Sequence, residues 1–271
     1  MPQAFVFGSP IAHSLSPVLH RAAYAALGLS DWSYASREVE QAGFLDVVTG
    51  LGPQVRGLSL TMPLKEVAFA IADPVSDRAR LAGAINTLVR RGDGWAGDNT
   101  DIAGLVASLR PPGAPPELGP GMILGAGATA RSALIALHTL GCTCVTVAAR
   151  DPAKAHASLG ELAKTLNLDL TVRPLTDWPA SPAALIVSTL PASGALVATT
   201  ALLASEAALG GIRLLDVVYA DWPTPLAQAA AERGASVVSG LDMLIHQAVE
   251  QVELMTGRRP DWRTLLAAVT P

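Results

Sequence analysis

Half of the 271 residues are apolar but only 4% are aromatic, so any core must be built chiefly from Ala, Val, Leu and Ile. The net charge of −4 disfavours a nucleic-acid partner, because neutralising phosphates needs a basic surface. Met1–Ser9 shows no basic segment leading an apolar run, and Ala183–Leu215 is broken by Pro191, Gly194, Glu206 and a glycine pair, so neither a signal peptide nor a membrane span is expected.

In chain order, Ala4–Phe7 predicts a strand, Pro17–Leu27 a helix, Ser33–Val39 a strand, and Val55–Thr61 a third strand followed by a helix from Leu64. Ile85–Arg90 and Gly94–Ala96 flank the turn Arg91-Gly92-Asp93 and predict a hairpin. Asp101–Leu109 predicts a helix, and Arg110–Gly121, dense in Pro and Gly, a loop. A second alternation follows: strand Met122–Leu124, helix Ala130–Leu140, and strands at Val145–Ala148, Leu170–Val172, Leu185–Ser188, Arg213–Val217 and Ser236–Val238. Strands interleaved with helices imply a parallel sheet with right-handed crossovers. Met243–Met255 and Trp262–Val269 read as closing helices. Cys142 and Cys144, the only cysteines, lack the Cys-x-x-Cys spacing and further ligands of a redox or zinc pair. They read as buried thiols of a protein in the reducing cytoplasm, and no metal is assigned.

The run Met122–Arg131 reads strand, glycine turn, helix start, and fits Gly-x-Gly-x-x-Gly/Ala. Gly125 permits the tight turn, Gly127 leaves room for a pyrophosphate, and Ala130 allows close helix packing. Ala126, Ala128 and Thr129 complete a loop whose free amides would face the phosphates. A glycine turn alone is a weak signal; its place in a regular α/β alternation makes it a dinucleotide-binding candidate.

Several further blocks converge. Gly8-Ser-Pro-Ile-Ala-His-Ser14-Leu-Ser16-Pro, Ser59-Leu-Thr61-Met-Pro63-Leu-Lys65, Gly83-Ala-Ile-Asn86-Thr87 and Gly97-Asp98-Asn99-Thr100-Asp101 stand in the first hundred residues. Asp216-Val-Val-Tyr219, Pro223-Thr224-Pro225-Leu226 and Gly240-Leu-Asp-Met243-Leu-Ile-His-Gln247 follow near the end. In identity and order these blocks resemble the shikimate dehydrogenase family, over nearly the whole chain. The resemblance implies an α/β substrate domain (residues 1–101 with 241–271), a Rossmann-like NADP-binding domain (102–240), and an active site in the cleft between them. It implies reversible NADPH-dependent reduction of 3-dehydroshikimate to shikimate by a cytoplasmic monomer or homodimer, with a small-molecule substrate and neither nucleic acid nor membrane as partner.

The resemblance also implies roles. Lys65 and Asp101 match the proton-transfer pair; by itself, a lysine after Met62-Pro63-Leu64 could equally snorkel to solvent, and Asp101 could cap the following helix. Asp98 competes with Asp101, and the motif assigns the substrate-facing role to Asp101. Ser14 and Ser16 match carboxylate ligands, although Ser-x-Ser-Pro in isolation reads as a helix cap. Thr61, Asn86 and Gln247 match ligands of the substrate hydroxyls, while Tyr219 and Met243 match positions at the substrate and nicotinamide end. His13 and His20 receive no chemistry. Arg150 and Lys154 match a basic clamp for the 2′-phosphate of NADP. Asp151 between them is either the ribose ligand of an NAD enzyme or the cap of a helix starting at Pro152, and the cap is the preferred reading.

The chain departs from the pattern at Ser59 and Leu60, where Asn and Val are usual, at Arg21, and at Asp221. These departures leave two alternatives open: a quinate/shikimate dehydrogenase of broader specificity using NAD, and a non-catalytic ligand-sensing member.

Overall fold

The computed structural model describes residues 1–110 and 119–270. The loop expected at Arg110–Gly121 falls mostly outside these residues. At its far end Gly121 already belongs to a strand.

The chain forms two compact units, Met1–Ala103 with Leu244–Pro271, and Gly104–Met243. The first contains β1 (Gln3–Gly8), α1 (Ser16–Ala26), β2 (Ser33–Glu38), α2 (Phe44–Thr49), β3 (Val55–Leu60), β4 (Ala72–Val75), α3 (Asp77–Ala82), β5 (Thr87–Arg91), β6 (Gly94–Asp98) and the start of α4 (Asp101–Leu109). Its sheet runs β2-β1-β3-β5-β6-β4. β1 is parallel to β2 and β3, whereas β5 is antiparallel to both β3 and β6. The hairpin closes on Gly92-Asp93, with Gly92 at φ +57°, a left-handed conformation that glycine adopts without a Cβ penalty.

This mixed topology positions the chemistry. The C-terminal ends of β1, β3 and β6 and the N-terminal end of β5 all lie at one end of the sheet, as the pairings Phe7↔Leu60, Ser59↔Thr87 and Thr87↔Asp98 show. Every matched motif of the first hundred residues leaves or enters the sheet there. Below it an apolar core gathers around Phe7, Phe44, Leu58, Leu88 and Trp95.

The helix expected from Leu64 is only a short 3-10 turn, Val67–Ala70. The Lys65 carbonyl, which an α-helix would give to the amide four residues on, instead accepts from Ile85 N at 2.8 Å. Pro74 then favours extended backbone at the residue before it, and β4 follows almost at once. Lys65 is thereby pinned beside the strand entrance that carries Asn86.

The second unit holds β7 (Gly121–Leu124), α5 (Ala128–Thr139), β8 (Cys144–Ala149), α6 (Pro152–Thr165), β9 (Asp169–Pro174), β10 (Leu185–Ser188), α7 (Ala192–Leu203), β11 (Arg213–Asp216), α8 (Pro225–Glu232) and β12 (Ser236–Ser239). Its strands are all parallel in the order β12-β11-β10-β7-β8-β9. That is the doubly wound Rossmann arrangement, reversing between β7 and β10. The central strands β7 and β10 are buried throughout and wholly apolar but for Gly121 and Ser188, as strands covered on both faces must be, whereas edge strand β9 is largely exposed. Trp178 fills the space under α7 and donates Nε1–H to the Ala198 carbonyl at 2.9 Å. Cys142 is buried, but Cys144 at the start of β8 is only half-buried. The chain finally returns through α9 (Gly240–Thr256) and α10 (Trp262–Ala267). No helix among the described residues is long and apolar enough to cross a membrane.

The turn after β7 separates two glycines that the motif treats alike. Gly125 sits at φ +109°, and a Cβ there would lie 2.5 Å from Thr189 Oγ1. Gly127 has φ −86° and ψ −168°, which any residue adopts, and a Cβ there would meet nothing within 4 Å. Gly125→Ala is therefore expected to cost at least ~1 kcal/mol of stability, and Gly127→Ala almost none. Thermal unfolding of the two variants checks this; equal losses would contradict the distinction.

Candidate functional site

In the first unit the site is organised around one buried carboxylate. Asp101 is the first residue of α4 and only 2% exposed, and both its oxygens are engaged. Oδ2 accepts from Lys65 Nζ at 2.5 Å and Oδ1 from Asn86 Nδ2 at 2.7 Å. The snorkelling alternative does not hold, since the Lys65 side chain is 15% exposed and turned onto the acid. A carboxylate taken out of water is costly unless it is paired and hydrogen-bonded, and here it is both.

Asn86 is held as firmly. Its Oδ1 accepts from Thr100 N at 2.8 Å and Thr87 Oγ1 at 2.8 Å, which fixes the amide so that Nδ2 faces Asp101. Nδ2 has two hydrogens and three acceptors in reach: Asp101 Oδ1, Thr100 Oγ1 at 2.9 Å and Gln247 Oε1 at 3.2 Å. Gln247 is the most weakly held of these, and its half-buried side chain turns toward Asn86, so it is no part of a solvated helix face.

Asp98, the competing acid, is committed elsewhere. It takes a two-pronged pair from Arg78, with Nε at 2.5 Å and Nη2 at 2.8 Å, together with Ser76 Oγ at 2.6 Å. Burial alone would raise its carboxyl, but Arg78 and Ser76 outweigh that and hold it below the usual range. Asp98 is a structural anion.

Thr61 follows β3, its amide bonded to the Phe7 carbonyl at 3.0 Å. Its methyl packs where a Cβ on Gly8 would stand, a contact that would shrink to 2.3 Å. That close approach joins the lysine loop to the segment leading to Ser14 and Ser16. Neither serine occupies the N-cap of α1, which is Leu15 without a side-chain bond, so the expected cap is not formed; Ser14 Oγ accepts only a 3.3 Å contact from Ser16 N. Ser16 is buried beside the Tyr34 phenol. His13 is exposed. His20 is fully buried, stacked on Tyr34 at 3.9 Å, and pushed down to about 3 by burial, against the opposing hydrogen bond to Gln251. It is therefore neutral and takes no part in acid–base chemistry near neutral pH.

In the second unit a groove of about 520 Å³ opens at the reversal of strand order. Gly125, Ala126 and Gly127 line it from β7, Arg150, Asp151 and Lys154 from β8 and α6, and Thr189 to Pro191 from β10. The first-turn amides of α5, at Ala128 and Thr129, have no acceptor within the helix, and Ala130 is buried against the sheet. Asp151 is the N-cap of α6, its Oδ1 accepting from Lys154 N at 3.0 Å, with Lys154 Nζ 3.8 Å from Oδ2. Arg150 is exposed and has no hydrogen-bond or ion-pair partner among the described residues. A phosphate-bearing dinucleotide suits this donor set: open space at Gly127, free helix-start amides, and an uncommitted guanidinium. Tyr219 is half-buried in the segment after β11, which Asp216 anchors by accepting from Thr224 Oγ1 at 2.7 Å; Met243 is buried in the first turn of α9.

Sequence reasoning passed over Thr87, Thr100, Arg78 and Gln251. Thr87 and Thr100 stood inside quoted motifs, and Gln251 lies one helical turn after Gln247 on the same face, a readable i, i+4 signal. Nothing local marked Arg78.

Known proteins resemble the chain over almost its full length. A family model described as the shikimate dehydrogenase substrate binding domain matches residues 6–88, and one described as the shikimate 5'-dehydrogenase C-terminal domain matches residues 240–269. The chain is 41% identical to a shikimate dehydrogenase (NADP(+)) of Methylobacterium radiotolerans, over 96% of this chain and 93% of that one. The crystal structure of Mycobacterium tuberculosis shikimate dehydrogenase superposes with a TM-score of 0.87 at 43% identity, covering 99% of this chain and 98% of that one. The Thermus thermophilus enzyme in complex with NADP(H) and shikimate superposes with a TM-score of 0.79 at 32% identity, covering 99% and 98%. The buried acid–lysine pair, the doubly wound sheet and these matches over almost the full length lead to one conclusion: the chain belongs to the shikimate dehydrogenase family.

Proposed function

We propose that the protein catalyses the reversible NADP-dependent interconversion of 3-dehydroshikimate and shikimate in aromatic amino-acid biosynthesis, in the cytoplasm. The observation that carries this is the Lys65–Asp101 pair, locked by Asn86 at the sheet end where the motifs of the first unit converge. In this reading residues 1–101 with the returning helices hold the substrate and residues 102–240 hold the cofactor.

NADP supplies the hydride acceptor or donor when bound. The chain's own residues move the proton. In the reducing direction the Lys65 ammonium gives a proton to the carbonyl oxygen as that oxygen gains negative charge, and Asp101 holds the lysine in place. In the oxidising direction the neutral Lys65 amine takes the hydroxyl proton and becomes the ammonium again. Assistance of this kind is worth ~10²–10⁴-fold. Ser14 and Ser16 offer neutral donors to the substrate carboxylate, and Thr61, Asn86 and Gln247 bind its hydroxyls. Tyr219 and Met243 line the reacting end. Gly125 to Ala130 cradle the pyrophosphate, and Arg150 with Lys154 takes the 2′-phosphate. With Asp151 Oδ1 engaged as the helix cap, one of its two oxygens is already committed, which favours NADP over NAD.

Two experiments check this. Lys65→Ala should fold and lose ~10²-fold or more of kcat; turnover near wild type across the pH range would remove the lysine's role. Initial rates with shikimate and quinate should show shikimate and NADP⁺ as the preferred pair, and Arg150→Ala should raise the KM for NADP⁺ ~10-fold or more with little change for NAD⁺. Equal or better efficiency with NAD⁺ would make Asp151 a ribose ligand. Preference for quinate would assign the broader-specificity activity, and no turnover with either would leave a ligand sensor.

A further inference from the structure

Behind the acid–lysine pair lies a second buried carboxamide that none of the roles above uses. Gln251 on α9 is 3% exposed, and every hydrogen-bonding site of its side-chain amide is engaged. Nε2 donates to the Thr87 hydroxyl at 3.2 Å and to the Asn86 carbonyl at 3.4 Å. Oε1 accepts from Ser59 Oγ at 2.8 Å and lies 3.2 Å from His20 Nε2. The Asn86 carbonyl can only accept, so the amide orientation is determined. Neutral His20 must then carry its proton on Nε2, since Oε1 has none to give.

From Gln251 the bonds run in one direction toward the reacting end. Thr87 accepts from Gln251 and so turns its own hydrogen onto Asn86 Oδ1 at 2.8 Å. Asn86, its oxygen thus engaged, presents Nδ2 to Asp101 Oδ1 at 2.7 Å, and the other oxygen of Asp101 receives Lys65. Reversing any amide in this series would set acceptor against acceptor or donor against donor. On the other side Ser59 receives the Tyr34 hydroxyl at 2.6 Å, which ties the same carboxamide to the phenol beside Ser16.

We infer that Gln251 is a positioning residue for the proton-transfer pair, acting through Thr87 and Asn86 on Asp101 without itself meeting substrate or cofactor. The inference rests on the role proposed for Lys65 and Asp101. A merely structural amide would, on removal, leave two buried donors and two buried acceptors short of partners and lower stability, while folded molecules turned over as before. A positioning amide acts through Thr87, which together with the Thr100 amide holds Asn86 in orientation, so its loss reaches kcat.

The test is steady-state kinetics and thermal unfolding of Gln251→Met, Thr87→Val, their double variant and Thr87→Ser, beside Lys65→Ala. Gln251→Met and Thr87→Val should each lower kcat for shikimate about tenfold, the size of one lost buried hydrogen bond, with the KM for NADP⁺ unchanged. The double variant should be no slower than the slower single variant, because both cut one series of bonds. Thr87→Ser, which keeps the hydroxyl, should recover most of the rate. Wild-type kcat and shikimate KM in Gln251→Met, at whatever melting temperature, would overturn the inference, as would fully additive losses. Should Gln251→Met fail to fold, Thr87→Val and Thr87→Ser still decide: a slow Val variant beside a fast Ser variant upholds the series, and two equally fast variants overturn it. If Lys65→Ala keeps its turnover, the underlying role fails; if it loses turnover while Gln251→Met does not, only the positioning role fails.

Discussion

A carboxylate buried to 2% exposure dictates much of the first unit. Removing one partner from such a group typically costs ~3–5 kcal/mol, because the remaining charge is stranded. Asp101 therefore requires a cation and a hydrogen-bond donor delivered with little freedom, and the fold delivers both. Lys65 arrives on a loop whose carbonyl is tied to Ile85, and Asn86 arrives at the mouth of β5 with its amide orientation set by Thr87 and Thr100. The antiparallel pairing of β5 with β3 and β6 is what places these three segments at one sheet end. A purely parallel sheet would have sent the start of β5 to the opposite end.

The second unit answers a different constraint. Its parallel strands leave a crevice where strand order reverses, and the turn at Gly125 needs glycine for reasons internal to the chain. Gly127 needs it for none: its backbone is ordinary and its surroundings are open. A glycine without an internal reason beside uncommitted helix amides and an Arg150 without a partner among the described residues is what a phosphate-binding turn requires. The helix cap formed by Asp151 matters for the same reason, since an acid engaged by the Lys154 amide adds less repulsion toward a phosphate.

Much of this was legible in the sequence, for identifiable reasons. The glycine turn, the hairpin and the succession of parallel strands carry local signals of period, turn chemistry and apolar runs, and their positions agree with the structure to within a few residues. The helix expected from Leu64 fails because a backbone bond from Ile85, distant in sequence, takes the carbonyl that the helix would need. The motif resemblance chose Asp101 over Asp98, but the physical reason lay outside it: Arg78, twenty residues from Asp98 and unmarked by any motif, takes Asp98. Gln251 stands one helical turn from Gln247, but that spacing does not show what its amide bonds. Its partners lie on β3, β5 and α1, and only folding brings a histidine, a serine and a threonine around one amide. Sequence shows which groups are present, whereas which of them neutralise one another is a property of the fold.

In the mechanism proposed for this site, the charge on Asp101, and not merely its shape, holds Lys65 ready for proton transfer. Asp101→Asn keeps the volume and an acceptor oxygen for Asn86 while removing the charge and the oxygen that accepts from Lys65. Its kcat for shikimate oxidation, measured on protein that circular dichroism shows to be folded at the assay temperature, decides the matter. The account predicts a fall of ~10²-fold or more. A kcat within about threefold of wild type, less than 1 kcal/mol of barrier, would contradict it.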